Sequence, residues 1–139
     1  MKPIYKNSLA FVIGLIVGGI VNMGLIMVSG SVIPPPEGVD PTDMESLKQN
    51  MHLFKAKHFI FPFLAHALGT LAGAYLAAKI ADSHQMKFAL GISAFFLLGG
   101  ITNAFLLPAP TWFLVVDLIF AYLPIGWLGG NLAVTNSQI

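Results

Sequence analysis

Four polar side chains stand inside long apolar stretches of this chain: Asn22, His66, Asn103 and Asp117. A carboxylate and an imidazole together can hold and pass a proton, fix a cation, or anchor a polar solute. Two carboxamides beside them supply both donors and acceptors. An ionised Asp at the centre of a spanning helix costs about 2.5–3.5 kcal/mol on insertion scales, so Asp117 needs a partner, water or a proton. His66 is the histidine placed within such a stretch and is the natural partner. The competing reading is structural: polar residues in membrane helices often serve as interhelical glue, worth only about 0.6 kcal/mol per hydrogen bond on average.

The elements that must position these residues are four apolar runs, at 8–28, 59–81, 88–107 and 112–133. Each approaches the roughly 20 residues that a bilayer core requires. Hydrophobic residues make up 56% of the chain and charged residues 9%, against about 25% charged in a soluble domain. The expected fold is therefore all-α, a single membrane domain over 1–139 organised as a four-helix bundle. The first run follows Lys2 and Lys6 and is longer than the apolar core of a signal peptide, so it is expected to remain as a span. Tyr5, Tyr75, Trp112, Tyr122 and Trp127 are read as interface anchors near run ends. Pro62 and Pro124 are candidates for kinks in the second and fourth spans.

Two stretches recur. Gly18-Gly19-Ile20-Val21-Asn22 in the first run matches Gly99-Gly100-Ile101-Thr102-Asn103 in the third. The segment from Ala74 to Ala81 parallels that from Gly126 to Ala133, with small, aromatic, Leu, small, small, polar, aliphatic and Ala in turn. A tandem duplication of a helical hairpin, a parallel two-plus-two repeat, accounts for both matches. Counted from the end of each span nearest the 29–58 loop, the four polar residues lie about 6–10 Å deep at 1.5 Å per residue. Stripes of small residues (Gly14 and Gly18 before Asn22; Gly91 and Gly99 before Asn103; Gly69 and Gly73 beside His66; Gly126 and Gly130) mark faces where helix backbones approach.

The 29–58 loop opens with the stiff Pro34-Pro35-Pro36. Thr42-Asp43-Met44-Glu45 then reads as a capping box, with Thr42 as cap and Glu45 reaching back. Met44, Leu47, Met51 and Phe54 follow at helical spacing, so a short amphipathic helix is expected over about 43–54. It lies in the membrane interface or covers the outer mouth of the bundle. Lysines favour the side bearing the termini, with Lys2, Lys6, Lys79 and Lys87 against Lys48, Lys55 and Lys57. Both termini are accordingly expected in the cytoplasm, in a bacterial inner membrane.

Several chemistries are excluded or left thin. The chain has no cysteine, which removes disulfides, thiolate metal sites and cysteine nucleophiles. A net charge of +1 does not suggest a nucleic-acid partner. Met23 and Met27 with His52 and His58 form a thioether and imidazole set that copper(I) would favour, but without a recognised ligand spacing, and they are read as packing residues. No metal and no cofactor is expected. A bound haem would need two histidines at one depth. The expected function is a small membrane protein with a polar intramembrane pocket near the outer face that binds or transports a proton, an ion or a small solute. Asp117 would be the charge or proton acceptor, His66 its partner, and Asn22 and Asn103 the walls. The alternatives are a non-catalytic accessory subunit of a larger membrane complex and, more weakly, an intramembrane enzyme. Beyond the lipid bilayer, the expected partner is a second copy of the chain or the rest of such a complex.

Overall fold

The computed structural model describes residues 1–136, and its regular elements are all helical. Helix α1 runs Pro3–Val32, α2 Met44–Asn50, α3 Ile60–Ile80, α4 Gln85–Leu106, α5 Thr111–Phe120 and α6 Leu123–Thr135. Four segments are long and apolar enough to cross a membrane: Pro3–Val32, Ala56–Ile80, Gln85–Leu106 and Thr111–Thr135. They match the expected runs to within a few residues, the second and third ending one residue earlier than expected and α1 longer at both ends. Large apolar side chains such as Ile20, Met27, Leu98, Phe105 and Ile119 stay exposed along them, as suits a surface whose solvent is hydrocarbon rather than water.

Helix α3 is the hub. It packs against α1, α4 and α6, while α4 and α6 also pack on each other. Glycines set the α1–α3 contact. A Cβ placed on Gly14 would come within 2.7 Å of the Gly73 carbonyl oxygen, and one on Gly18 within 2.7 Å of the Gly69 carbonyl oxygen. The reverse is also true, at 2.6 Å and 2.8 Å. Two four-residue-spaced glycine pairs thus interlock backbone to backbone, which no larger side chain permits. On the other flank, a Cβ on Gly126 would overlap the Ser93 hydroxyl of α4.

Polar contacts tie together the end that carries the termini. Lys6 pairs with Asp82 at 3.2 Å, Asn7 accepts the Asp82 N–H at 2.8 Å, and Lys79 reaches the Asn136 carbonyl at 3.4 Å. The opposite end holds the 33–59 segment and the 107–110 turn, and it is more loosely filled.

The loop helix differs from its expected cap. Asp43, not Thr42, caps α2 by accepting the Ser46 N–H at 2.9 Å. Thr42 instead donates its N–H and its hydroxyl to Asp40, at 2.8 and 2.6 Å, and Ser46 Oγ accepts the Asp40 N–H at 3.0 Å. A carboxylate is the stronger acceptor for an orphan N–H, and the Thr42 hydroxyl is already committed. Helix α2 then tightens into a 3-10 turn at Met51–Leu53. Met51 is buried there against Phe59 and Phe113.

The prolines behave differently from each other. Pro62 sits in the first turn of α3, where a missing N–H costs nothing, and α3 is continuous from Ile60. Pro124 stands in the first turn of α6, and the fourth span breaks before it at Ala121–Tyr122. Tyr122 is not an interface anchor. It lies at this mid-span break and is 2% exposed.

Candidate functional site

The α5–α6 break is the local device that builds the site. Ending α5 at Phe120 places Asp117 in its last turn, and the turn that follows swings Tyr122 back toward it. Asp117 is 4% exposed. Its Oδ1 lies 2.8 Å from Nδ1 of His66 on α3, and its Oδ2 accepts the Tyr122 hydroxyl at 3.2 Å. The His66 and Tyr122 rings stack with centroids 5.7 Å apart. The Tyr122 hydroxyl also fills the space beside Gly100, where a Cβ would meet it at 2.5 Å. With Asp117 ionised, His66 Nδ1 donates to it, and Nε2 of the neutral ring is left as an acceptor. Nε2 makes no hydrogen bond among the described residues.

Two cavities adjoin this pair. The smaller, about 140 Å³, lies between α1, α3 and α4 and is walled by Gly18, Gly19 and Asn22 on one side and Gly99, Gly100 and Asn103 on the other. These are the glycines and asparagines of the repeated Gly-Gly-x-x-Asn stretch, facing each other across one space. His66, Thr70, Phe96 and Tyr122 complete the lining. The larger cavity, about 380 Å³, shares Asn22, His66, Gly100 and Asn103 with the smaller and extends toward the loop-bearing end. Asp117 lines it at depth. Met44, Leu47, Met51 and Phe54 of the loop form its cover, with Phe59, Phe113 and Ile26 among its walls. The apolar face of the loop helix is thus turned onto the mouth of the bundle.

All of the sequence-selected polar residues line this connected space, and only His66 and Asp117 bond to each other directly. Asn103 is exposed and lines both cavities. Asn22 Oδ1 is buried with no hydrogen-bond partner among the described residues. Of the thioether and imidazole set, Met23 and His58 line the larger cavity, whereas Met27 is 75% exposed.

Two residues escaped the sequence reading. Tyr122 was hidden by its nearness to Pro124, which the sequence marks as a kink but not as a means of folding a ring back onto Asp117. Thr70 lies one turn beyond His66 on the same helix face, a spacing of four that was available as a signal. It is 1% exposed, and its hydroxyl has no hydrogen-bond partner among the described residues. Leaving a buried polar atom unpaired costs about 1–3 kcal/mol. Both such atoms belong to residues that line the smaller cavity.

These features define a class: an all-helical chain with four segments of membrane-spanning length and composition, and a cavity between them lined in part by Asn22, His66, Thr70 and Asn103. Comparison with family models, with curated proteins and with solved structures finds no match for the chain. The functional reading therefore rests on the geometry.

Proposed function

We propose that this is a multi-pass membrane protein that binds a proton, an ion or a small solute in the cavity around His66 and Asp117. The observation that carries the reading is the convergence of polar groups from all four spans on one connected space, with a His–Asp pair 2.8 Å apart at its wall. His66 Nε2 is the group presented to the occupant. Asp117 holds the ring and balances charge, while Asn22 and Asn103 supply hydrogen-bonding walls. The loop-bearing end is assigned to the outer side and both termini to the cytoplasm of a bacterial inner membrane, on the lysine distribution.

A duplicated hairpin is the natural origin of such a cavity. Its support is the recurrence of the Gly-Gly-x-x-Asn stretch on opposite walls, together with matched burial at Ala74 and Gly126, Ala77 and Gly129, Ala78 and Gly130, and Ala81 and Ala133. The test uses the purified chain in nanodiscs, with ligand-dependent thermal stabilisation screened across protons, monovalent cations and small polar solutes. Asp117→Asn and His66→Ala are expected to fold and to lose the response. Folded variants that keep every wild-type response would overturn the reading.

A further inference from the structure

We infer that the occupant is an amphiphile with a hydroxyl end, seated with its hydroxyl among Asn22, Thr70 and His66 and its apolar body in the larger cavity. This rests on the binding reading above and names its ligand class.

The hydroxyl of Thr70 is the first ground. Ser8, Ser93 and Thr102 each bond back to a carbonyl four residues earlier, at 2.9 Å, which is the usual habit of a hydroxyl in a helix. Thr70 does not, so its hydroxyl is buried and unpaired among the described residues, on a residue that lines the smaller cavity. Asn22 Oδ1, also buried and unpaired there, requires a donor. Nothing among the described residues answers either atom.

The shape of the space is the second. The two cavities meet at Asn22, His66, Gly100 and Asn103, and their characters differ. The smaller holds the unpaired oxygens. The larger is walled mainly by aliphatic, thioether and aromatic side chains, which do not favour water. An occupant that satisfies both has a small polar end and a larger apolar part, the usual complement of a mostly apolar pocket with a few convergent polar groups.

The polar end is a hydroxyl on grounds of hydrogen-bond type. Asn22 Oδ1 accepts only, and His66 Nε2 accepts when neutral and donates when protonated. A hydroxyl serves both states of the ring. A ketone cannot satisfy Asn22 Oδ1, a carboxylate opposes Asp117, and an ammonium ion gives up strong hydration without finding a free carboxylate oxygen, since both oxygens of Asp117 are engaged. Asp117 is on this account a positioning residue that acts through His66.

The experiment titrates 4-butylphenol and its methyl ether into nanodiscs carrying the intact chain, with partitioning into empty nanodiscs subtracted. The phenol is expected to bind at least about fivefold more tightly than the ether, the scale of one net hydrogen bond. Thr70→Val and Asn22→Ala should each shrink that ratio. Equal affinity for the two probes, or binding of neither, overturns the inference. If neither binds but a cation or a small polar solute still stabilises the protein in a manner lost with Asp117→Asn, only the ligand class falls. If no probe of any kind responds to Asp117 or His66, the binding reading falls with it.

Discussion

The two hairpins use the same small-residue pattern to opposite ends. In α1–α3, glycines meet glycines, both helices run unbroken, and the contact is backbone on backbone. In the second hairpin, glycines meet side chains: Gly126 faces Ser93, Gly130 faces Met86 and Ala89, and Gly100 faces Tyr122. The spanning helix is broken there, and the break delivers Asp117 and Tyr122. The register differs as well. Gly18 is tightly packed while Gly19 has nothing near its missing Cβ; Gly99 is open while Gly100 is packed. Neighbouring residues on a helix are about 100° apart, so the contact face has turned by one residue between the two copies of the stretch. The same turn accompanies a buried Asn22 Oδ1 and an exposed Asn103. One hairpin closes backbone on backbone, while the other breaks and brings Asp117 and Tyr122 against His66 of the first.

The largest test of this contrast is a bulky residue at a packed and at an open glycine. Gly69→Leu would drive into the Gly18 carbonyl and Asn22, at a cost of about 3 kcal/mol or more. A Cβ on Gly99 meets nothing, so Gly99→Leu is expected to cost far less, no more than about 0.5 kcal/mol. Unfolding in detergent reads both, and equal losses would erase the distinction. Next comes the buried pair. His66→Leu leaves the Asp117 carboxylate without its main partner, a loss on the order of 3 kcal/mol. Asp117→Asn keeps an acceptor for Nδ1 and should lose less than half of that, so the reverse order in the same assay would refute the assignment of Nδ1 as donor. Tyr122→Phe removes one hydrogen bond at 3.2 Å and should cost about 1 kcal/mol, with the His66–Asp117 contact intact by the imidazole NMR shifts.

The smallest effect belongs to the loop. The Thr42 hydroxyl, then the Thr42 N–H, holds the Asp40 carboxyl below its ordinary value. A depressed carboxylate adds stability above the unfolded pKa, and that contribution fades as pH falls through the folded value. Thr42→Val is expected to return Asp40 part of the way toward the ordinary range, near 3.9, in a carboxyl-carbon NMR titration. The cavity residues should show no change.

Much of this architecture was legible from residue types. The apolar runs, the loop helix and the small-residue faces follow from period and composition, which act locally along a helix. The cap of α2 was misplaced because Thr42 and Asp43 are both competent caps, and the choice depended on Asp40 taking the Thr42 hydroxyl. Tyr122 was misread because end-of-run aromatics usually anchor at interfaces, and its burial depends on where the fourth span breaks. Pro62 and Pro124 look alike in sequence. Their consequences differ only because one falls in a first turn that begins a span and the other in a first turn at mid-membrane.

By itself the sequence determined that the chain has four segments able to cross a bilayer, and that Asn22, His66, Asn103 and Asp117 fall one in each. These are properties of length, hydropathy and rise per residue, and no tertiary contact can alter them. Which of the polar groups bond, which oxygens stay unpaired, and whether the repeated glycines pack or stand open were decided only in three dimensions. Those outcomes depend on helix rotation and on a single break before Pro124, and a rotation of one residue moves a side chain from a contact to a cavity wall.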